Sequence, residues 1–310
     1  MLADPLPSWN EGAAKARLVD FVKRVTEHGT VDFVPPSDRI AAFDNDGTLW
    51  PEQPNCIQFI FVVDRLKSLA QIDSALRRTE PFRTVLDGGL DGLATLDAEG
   101  IIEIIKTTQS GMSTEEFSDM VAQWLDTAKE PRFRRPYTEL VYKPMLELLD
   151  YLAANKFKVF IVSGNGADFI RVFAEETYRV PSERVIGSTM LTEFRLGEAG
   201  PLLMKRPEVE VLSDGAGKPV AIDRFIGRRP ILAFGNSDGD KEMLEWTIAG
   251  SGPRLVALLH HTDAKREWAY DRHSKVGRLD KALDLADAHD WTIVDMATDW
   301  NIIFPLAGSR

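Results

Sequence analysis

The stretch FDNDGTLW, residues 43–50, places two acids, Asp44 and Asp46, at the end of a short apolar run. Two carboxylates this close repel each other, and one of them becomes hard to ionise. A cation between them would remove the conflict, and oxygen ligands of this kind suit Mg²⁺. Alternatively, one acid is a nucleophile and the other an acid and base. An Asx turn without chemistry is the third interpretation, because Asp and Asn cluster in turns.

The charge balance narrows the class of partner. Of 310 residues, 37 are Lys or Arg and 48 are Asp or Glu, which gives a formal net charge of −11. An acidic chain without a long basic stripe binds nucleic acid poorly and is not broadly attracted to anionic membranes. We therefore expect neither partner. An anionic substrate would need a local positive site made of a metal, a Lys or backbone N–H groups.

The cysteine content and the hydropathy argue against a disulfide-bonded protein, a zinc site made of cysteines and a membrane-spanning protein. Cys56 is the only cysteine, so neither an intrachain disulfide nor a cysteine cluster for zinc can form. No apolar run has the length of a membrane span. The N-terminal segment MLADPLPSWNEG lacks the basic and apolar regions of a signal peptide. The cytoplasm is the default expectation, and a periplasmic or secreted location stays open if a signal peptide has been removed. The sequence does not indicate an oligomeric state.

The spacing of apolar residues predicts an α/β fold. Residues 13–26 carry an apolar stripe at helical spacing, and residues 40–43 form a predicted strand. About ninety mostly helical residues follow, with a predicted capping box between Ser113 and Glu116. From residue 144 onward, helices alternate with continuous apolar strands, which is typical of a Rossmann-like parallel sheet covered on both faces. Ligands of such sheets bind at the carboxyl ends of the strands.

Three predicted strands end in polar loops that contain glycine: FDNDGT, IVSGNG and AFGNSDGD. If these strands are neighbours, the loops converge on one site. Ser163 and nearby backbone N–H groups would suit an anion, although an ordinary strand-to-helix turn explains the second loop as well. Asn236, Asp238 and Asp240 of the third loop suit a metal ion or a solvated turn. Lys218 opens the preceding helix and either neutralises a phosphoryl group or is simply solvated.

Taken in order, these pieces resemble the haloacid dehalogenase (HAD) superfamily of phosphotransferases. The family pattern is Asp-x-Asp-x-Thr, a Ser or Thr, a Lys and an acidic loop, and the matching residues are Asp44-Asn45-Asp46-Gly47-Thr48, Ser163, Lys218 and Gly235-Asn236-Ser237-Asp238-Gly239-Asp240. The insert after the first motif is similar to the helical C1-type cap of the phosphoserine-phosphatase-like branch. The resemblance implies a core domain of residues 1–53 and 141–310 and a cap domain of residues 54–140. Proline-marked segments near 51–54 and 135–144 are the expected hinges.

The resemblance also implies a reaction, the Mg²⁺-dependent hydrolysis of phosphate monoesters of small metabolites. Asp44 would attack phosphorus and form an aspartyl-phosphate, and Asp46 would act first as general acid and then as general base. Ser163 and Lys218 would hold the phosphoryl oxygens. Phosphoryl transfer requires positioning and charge neutralisation above all. The candidates for substrate binding are Thr48, Glu52, Gln53, Gly164 and Asn165.

The implied metal ligands are Asp44, the backbone carbonyl of Asp46 and the acidic loop. The family usually has Asp directly after the glycine of that loop, where this sequence has Asn236. Either the amide oxygen of Asn236 binds Mg²⁺ without a charge, or Asp238 takes over this role. Asp240 matches the later acid of the family.

Two other functions stay open. A protein of this fold could bind phosphate without catalysis, with Asn236 as a sign of decay. A haloacid dehalogenase-type hydrolase is less favoured, because those enzymes need no metal and lack the second acid, here Asp46. Arg132, Arg134 and Arg135 are a candidate site for a second anionic group of the substrate, although runs of charge are usually solvated.

Overall fold

The computed structural model describes residues 4–198 and 200–308. The α-helices in this part of the chain are α1 (Ala13–Thr26), α2 (Ile57–Ile72), α3 (Phe82–Leu93), α4 (Ala98–Gln109), α5 (Thr114–Thr127), α6 (Lys143–Ala154), α7 (Ala167–Tyr178), α8 (Gly217–Ile226), α9 (Lys241–Ile248), α10 (Lys281–Ala288) and α11 (Met296–Asp299). The strands are β1 (Ile40–Phe43), β2 (Lys158–Gly166), β3 (Val185–Gly197), β4 (Gly200–Val211), β5 (Leu232–Gly235), β6 (Leu255–Thr262), β7 (Ala269–Tyr270) and β8 (Thr292–Asp295). None of these helices is both long enough and apolar enough to cross a membrane.

The described strands form one mixed sheet in the order β4-β3-β2-β1-β5-β6-β7, with β8 also paired to β6. The strands β3, β2, β1, β5, β6 and β8 are parallel, whereas β4 and β7 are antiparallel to their neighbours. The central strand β1 lies between β2 and β5, with Ile40 opposite Lys158 and Ala41 opposite Leu232. The predicted Rossmann-like α/β sheet is therefore confirmed.

Both faces of the sheet are covered. Along β1, Ala41 and Phe43 pack into one apolar cluster and Ala42 packs into a second one. This alternation follows because successive side chains of a strand point to opposite faces. Helices α1 and α6 contribute to the first cluster, and α8 and α9 contribute to the second. A strand buried on both sides has to be apolar throughout, which explains the continuous run IAAF.

The helices α2 to α5 form an insert between β1 and β2 that shares its core with the sheet. Phe61 of α2 meets Phe117 of α5 edge to face at 6.1 Å between ring centroids, and it meets Phe169 of α7 at 5.5 Å. The predicted capping box opens α5: the Ser113 hydroxyl accepts the Glu116 N–H at 3.1 Å, and the Glu116 carboxylate accepts the Ser113 N–H at 2.7 Å. One continuous apolar cluster thus connects the insert to the sheet.

The hairpin of β3 and β4 is the largest departure from the sequence prediction. The sequence predicts a short strand within residues 184–194 and a hairpin tip within residues 195–203; the structure has this hairpin, but with longer strands of 13 and 12 residues. Only residues 195–197 of β3 extend beyond the predicted strand, and Leu196 among them is exposed and gives no pattern of burial. The hairpin reaches the insert: the Gly111 N–H donates to the Lys205 carbonyl at 3.0 Å, and the Lys205 N–H donates to the Met112 carbonyl at 2.9 Å.

The chain after β6 is not covered by the sequence prediction, and it completes one edge of the sheet. Strand β8 pairs with β6 from Ala257 opposite Thr292 to His260 opposite Asp295. Strand β7 turns back along the end of β6, where His261 lies opposite Tyr270. This return brings Tyr270 toward the loop that follows β1.

Candidate active site

The loops after β1, β2 and β5 meet at one edge of the sheet, because these strands are parallel neighbours. Asp44 and Asp46 follow β1, Ser163 lies in the second half of β2, and Asn236 follows β5. Asp44, Asp46 and Ser163 line one cavity, and Asn236 is buried beside it. The structure therefore brings the three predicted loops together.

Gly47 makes the sharp turn in the first loop. Its φ of 72° lies in the left-handed region, and a Cβ at this position would lie 2.1 Å from Asn236 Nδ2. Glycine alone satisfies both requirements. Before the turn, the Asp44 N–H donates to the Phe234 carbonyl at 2.9 Å. This bond extends the β1–β5 ladder and fixes Asp44 at the sheet edge.

Lys218, on the first turn of α8, bridges two buried acids. Its Nζ donates to Oδ1 of Asp44 and to Oδ1 of Asp240, each at 2.6 Å. Burial alone would lower the pKa of Lys218, but the two carboxylates outweigh burial and raise it. Burial and the charge of Asp240 raise the pKa of Asp44 well above its usual range, although Lys218 opposes this shift. A further cation beside Asp44 would favour its ionised form.

Asp240 organises the third loop. Its Oδ2 accepts the N–H groups of Asn236 at 3.0 Å and Ser237 at 3.1 Å, while its Oδ1 holds Lys218. Both carboxylate oxygens thus have protein partners, and the side chain has no exposed surface. Asp240 fixes the loop and the lysine together.

Asp46 follows Asp44 by two residues in the first loop, and three side-chain donors bind its carboxylate. Its Oδ1 accepts Trp50 Nε1 at 3.0 Å, and its Oδ2 accepts Asn165 Nδ2 at 2.8 Å and Asn45 Nδ2 at 3.3 Å. Burial raises the pKa of Asp46 to about 6, and the hydrogen bond from Trp50 limits the rise. A carboxyl group with this pKa can give and take a proton near neutral pH.

Asn236 is clamped between two side chains of the first loop. Thr48 Oγ1 donates to Asn236 Oδ1 at 3.0 Å, and Asn236 Nδ2 donates to Glu52 Oε1 at 2.5 Å. Glu52 also accepts the Tyr270 hydroxyl at 2.9 Å. Burial raises the pKa of Glu52 well above its usual range, and the nearby charges of Asp44 and Asp46 add to the rise.

Two of the predicted site residues point elsewhere. Asp238 lies at the cavity edge, but its Oδ1 accepts the backbone N–H groups of Asp280 at 3.0 Å and Ala282 at 2.9 Å. Gln53 donates through Nε2 to the Val276 carbonyl at 2.9 Å and is not among the residues lining the cavity. Both side chains connect the site to residues 276–282, which lie just before and at the start of α10.

The arginine cluster also lies away from the cavity. Arg132 donates to the backbone carbonyls of Ala264 at 3.0 Å and Lys265 at 3.1 Å. Arg135 donates to the Pro305 carbonyl at 3.0 Å. These contacts fasten the end of the insert to the C-terminal region.

The cavity has a volume of about 610 Å³ and two unlike sides. One side, which we call the acidic floor, consists of polar residues from the sheet loops: Asp44, Asp46, Glu52, Ser163, Gly164, Asn165 and Lys218. The other side, which we call the apolar wall, consists of aromatic and aliphatic residues from α2 and α4: Phe59, Val62, Ile101, Ile102 and Ile105. A volume of this size suits a small organic molecule.

Two buried polar residues at the end of the apolar wall escape sequence reasoning. Gln109 is 3% exposed, lines the cavity, and its Nε2 has no hydrogen-bond partner within the described residues. Lys205 of β4 is 2% exposed, pairs with Asp168 and lies 4.4 Å from the Phe117 ring centroid. A single Gln at a helix end or a single Lys in a strand carries no pattern that would single it out.

The charges of the site suit a divalent cation. Asp44, Asp46, Glu52 and Asp240 are buried together, and Lys218 is the only basic side chain of the described residues that pairs with any of them. If all four acids ionise, three negative charges stay uncompensated, and carboxylate oxygens are ligands that Mg²⁺ prefers. No three His, Cys, Asp or Glu side chains in residues 4–198 and 200–308 are arranged to hold a metal by themselves. Amide, backbone carbonyl or water oxygens would therefore have to complete the coordination.

Comparison with protein families agrees with this geometry. The family model of the haloacid dehalogenase-like hydrolases matches residues 41–245, a range that includes all three loops and the insert. The chain belongs to this family. The resemblance inferred from the four motifs is thereby confirmed, and the protein is a member of a hydrolase family.

Solved structures show the same fold at low identity. A conserved protein of unknown function from Anaerococcus prevotii DSM 20548 is 15% identical with a TM-score of 0.59, over 84% of this chain and 89% of that one. A protein of unknown function from Bordetella pertussis Tohama I is 14% identical with a TM-score of 0.54, over 84% and 99%. A phosphoserine phosphohydrolase-like protein from Francisella tularensis subsp. tularensis SCHU S4 is 13% identical over 83% and 94%, with a lower TM-score of 0.43. No curated protein sequence matches significantly.

Proposed function

We propose that this HAD family member is a phosphatase that hydrolyses phosphate monoesters of small molecules through an aspartyl-phosphate on Asp44. The position of Asp44 carries the proposal. It ends the central strand, lines the cavity and holds Lys218 through Oδ1 at 2.6 Å. Its other oxygen, Oδ2, accepts no hydrogen bond from the described part of the chain and is available for attack on phosphorus.

Asp46 is the proposed acid and base. In the first step the Asp44 O–P bond forms, the ester P–O bond breaks, and Asp46 gives its proton to the leaving oxygen. In the second step Asp46 takes a proton from water, which attacks phosphorus and releases phosphate from Asp44. A pKa raised by burial to about 6 supports both transfers, because such a group is partly protonated near neutral pH.

Two further residues would stabilise the phosphoryl group. Lys218 brings a buried ammonium next to the nucleophile. Ser163 Oγ accepts the Asn165 N–H at 3.2 Å, so its own hydrogen is available to a phosphoryl oxygen. Donors aimed at the place where negative charge develops are the main source of catalysis in phosphoryl transfer.

The residues that would hold Mg²⁺ are Asp44, Asn236 and the backbone carbonyl of Asp46. The uncompensated negative charge of the acidic floor supports a cation here. When bound, the metal would neutralise charge on the phosphoryl group.

We further propose that residues 54–140 act as a cap on a core made of residues 1–53 and 141–310. The cavity is lined from both parts, which supports this division. Covering the acidic floor excludes water and strengthens the electrostatic interactions there.

The apolar wall bears on the leaving group. A phosphate bound at Asp44 would leave the rest of its ester against Ile101, Ile105 and Phe59. A phosphate ester with a sizeable apolar body therefore suits the cavity better than a short, charged one. The unpaired Nε2 of Gln109 would donate to an oxygen or nitrogen acceptor at the far end of that body.

A screen for phosphate release tests the proposal. The purified protein is incubated with Mg²⁺ and with phosphate esters whose leaving groups range from glycerol to long alkyl and aryl alcohols. We expect release that stops on chelation, a phosphorylated protein trapped on acid quench, and higher kcat/KM for the apolar esters. Phosphate binding without release would support the non-catalytic alternative, and equal kcat/KM for short and apolar esters would refute the leaving-group argument alone.

A further inference from the structure

The contact between Asn236 and Glu52 bears on the missing charge of the metal loop. The family usually has Asp where this chain has Asn236, and an amide oxygen brings no charge to a cation. In this structure Asn236 Nδ2 lies 2.5 Å from Glu52 Oε1, and Glu52 is 5% exposed. A buried acid, Glu52, therefore contacts the neutral side chain of Asn236 directly.

The two neighbours of the amide give it one orientation. Glu52 Oε1 accepts from both of its described partners, Asn236 Nδ2 at 2.5 Å and the Tyr270 hydroxyl at 2.9 Å, so Glu52 binds the nitrogen end of Asn236. Thr48 Oγ1 donates to the oxygen end at 3.0 Å. With both ends assigned, Oδ1 is the atom of Asn236 that can face a cation, and one of its two lone pairs is left after the bond from Thr48.

Glu52 is also confined to this place. A Cβ on Gly277 would lie 1.7 Å from Glu52 Oε1, and one on Gly47 would lie 2.4 Å from it. Tyr270 fixes the same oxygen at 2.9 Å through its hydroxyl. Gly47 and Gly277 thus leave room for the Glu52 carboxylate, and Tyr270 holds it against Asn236.

We propose that Asn236 and Glu52 act as one unit that replaces the single Asp of related metal loops, with Asn236 supplying the oxygen ligand and Glu52 the negative charge, which a cation bound beside it would stabilise. Glu52 is then a positioning residue for the metal site rather than a contact for the leaving group. Partners behind a metal ligand orient it and increase its basicity. The inference rests on the metal site of the proposed function, and it is tested by metal binding without substrate.

The unit predicts a specific pattern among three variants. Glu52→Gln removes the charge and should weaken binding of Mn²⁺ and Mg²⁺ by about 10- to 100-fold. Asn236→Asp alone should change the affinity little, because the added charge is offset by the loss of the N–H that donates to Glu52 and by contact between two carboxylates. The double variant Glu52→Gln/Asn236→Asp exchanges the two groups and should return the affinity to within a few-fold of wild type.

The affinities are measured by calorimetry for Mg²⁺ and by electron paramagnetic resonance for Mn²⁺, with circular dichroism to check folding. Glu245→Gln is the matched control, since it makes the same change at an acid that pairs with Lys241 outside the cavity, and its affinity should stay within a few-fold of wild type. If Glu52→Gln does not fold, Thr48→Val replaces it: loss of the donor frees the amide to turn over, and metal affinity should fall.

Three results would overturn the inference: Glu52→Gln binding metal as tightly as wild type, a double variant as weak as Glu52→Gln, or wild-type protein that binds neither ion at millimolar concentration. A substrate contact by Glu52 would instead change KM and leave metal affinity unaltered, which also refutes it. Metal binding with the expected pattern but without phosphatase activity would uphold the inference and refute the proposed function.

Discussion

The two sides of the cavity are built in opposite ways. On the acidic floor, Asp46 has both carboxylate oxygens in hydrogen bonds, and Lys218 links Asp44 to the buried Asp240 beside the cavity. At the apolar wall, aliphatic side chains from α2 and α4 surround the space, and Gln109 offers a donor that no described residue accepts. Hydrogen bonds within the protein hold the side chains of the acidic floor in place, whereas the Gln109 donor at the apolar wall is left for a ligand. The proposed function assigns the chemistry to the first side and the choice of substrate to the second.

The largest effect is expected on the acidic floor from Asp44→Asn. The amide keeps the shape of the side chain but cannot attack phosphorus, so kcat should fall at least about 1,000-fold, or about 4 kcal/mol in the barrier. Phosphate release and circular dichroism are measured together, and the fold should be unchanged. A variant with more than about a tenth of wild-type kcat, a loss below about 1.4 kcal/mol, would exclude Asp44 as the nucleophile.

The second effect is a pH dependence of stability set by Asp46. Its folded pKa of about 6 lies above the unfolded value, so its stabilising contribution is complete below about pH 4 and is lost as pH rises through about 6. In metal-free protein, the unfolding free energy of wild type should fall by about 2–4 kcal/mol between pH 4 and 7 relative to Asp46→Asn.

Urea unfolding in the presence of a chelator, at several pH values in this range, gives both profiles. Glu245→Gln is the control, since this half-buried acid pairs with Lys241 outside the cavity, and it should keep the wild-type pH dependence. Parallel profiles for wild type and Asp46→Asn would contradict a buried acid with a raised pKa.

The apolar wall should respond in substrate affinity rather than in chemistry. Ile105→Asn places an amide among aliphatic side chains, and kcat/KM for an apolar phosphate ester should fall about 10- to 100-fold, mainly through KM. Ile72→Asn is the matched control on the same insert, because Ile72 is 86% exposed and does not line the cavity. A fall in Mg²⁺ affinity of the Ile105 variant would mean that the two sides of the cavity are not independent.

The smallest effect is expected from Asp238→Asn. Its Oδ1 accepts the N–H groups of Asp280 and Ala282, so the substitution should cost about 1 kcal/mol of stability through a weakened hydrogen bond. Mg²⁺ affinity, measured by calorimetry, should stay within a few-fold of wild type. A sharp loss of metal binding would instead identify Asp238 as a metal ligand and contradict its placement outside the metal site.

The fold and the members of the acidic floor were largely predictable because both depend on local pattern. An apolar strand that ends in Asp44-Asn45-Asp46-Gly47 carries its fold and its chemistry within a few residues of sequence. The orientation of Asp238 was not predictable, since its partners Asp280 and Ala282 lie 42 and 44 residues away.

The position of the apolar wall was not predictable either, because it also depends on contacts between distant parts of the sequence. Ile101 and Ile105 read as an ordinary core stripe, and only packing of the insert on the sheet turns this face of α4 toward the acidic floor. The contact of Glu52 with Asn236 spans 184 residues, a separation at which no spacing rule operates. The length of β3 depends likewise on β4, its antiparallel partner, rather than on its own apolar residues.

The bonds between the hairpin and the insert also limit how the cavity can open. If the insert moves as the proposed cap, the segments near residues 51–54 and 135–144 are its hinges, and two hinges leave one rotation, about the line through them. The backbone bonds of Lys205 to Gly111 and Met112 add a third joint, which removes this degree of freedom as long as the hairpin stays with the sheet. A cap that opens in this way would either break these two bonds or carry the outer hairpin along, so that β3 and β4 would move with the cap.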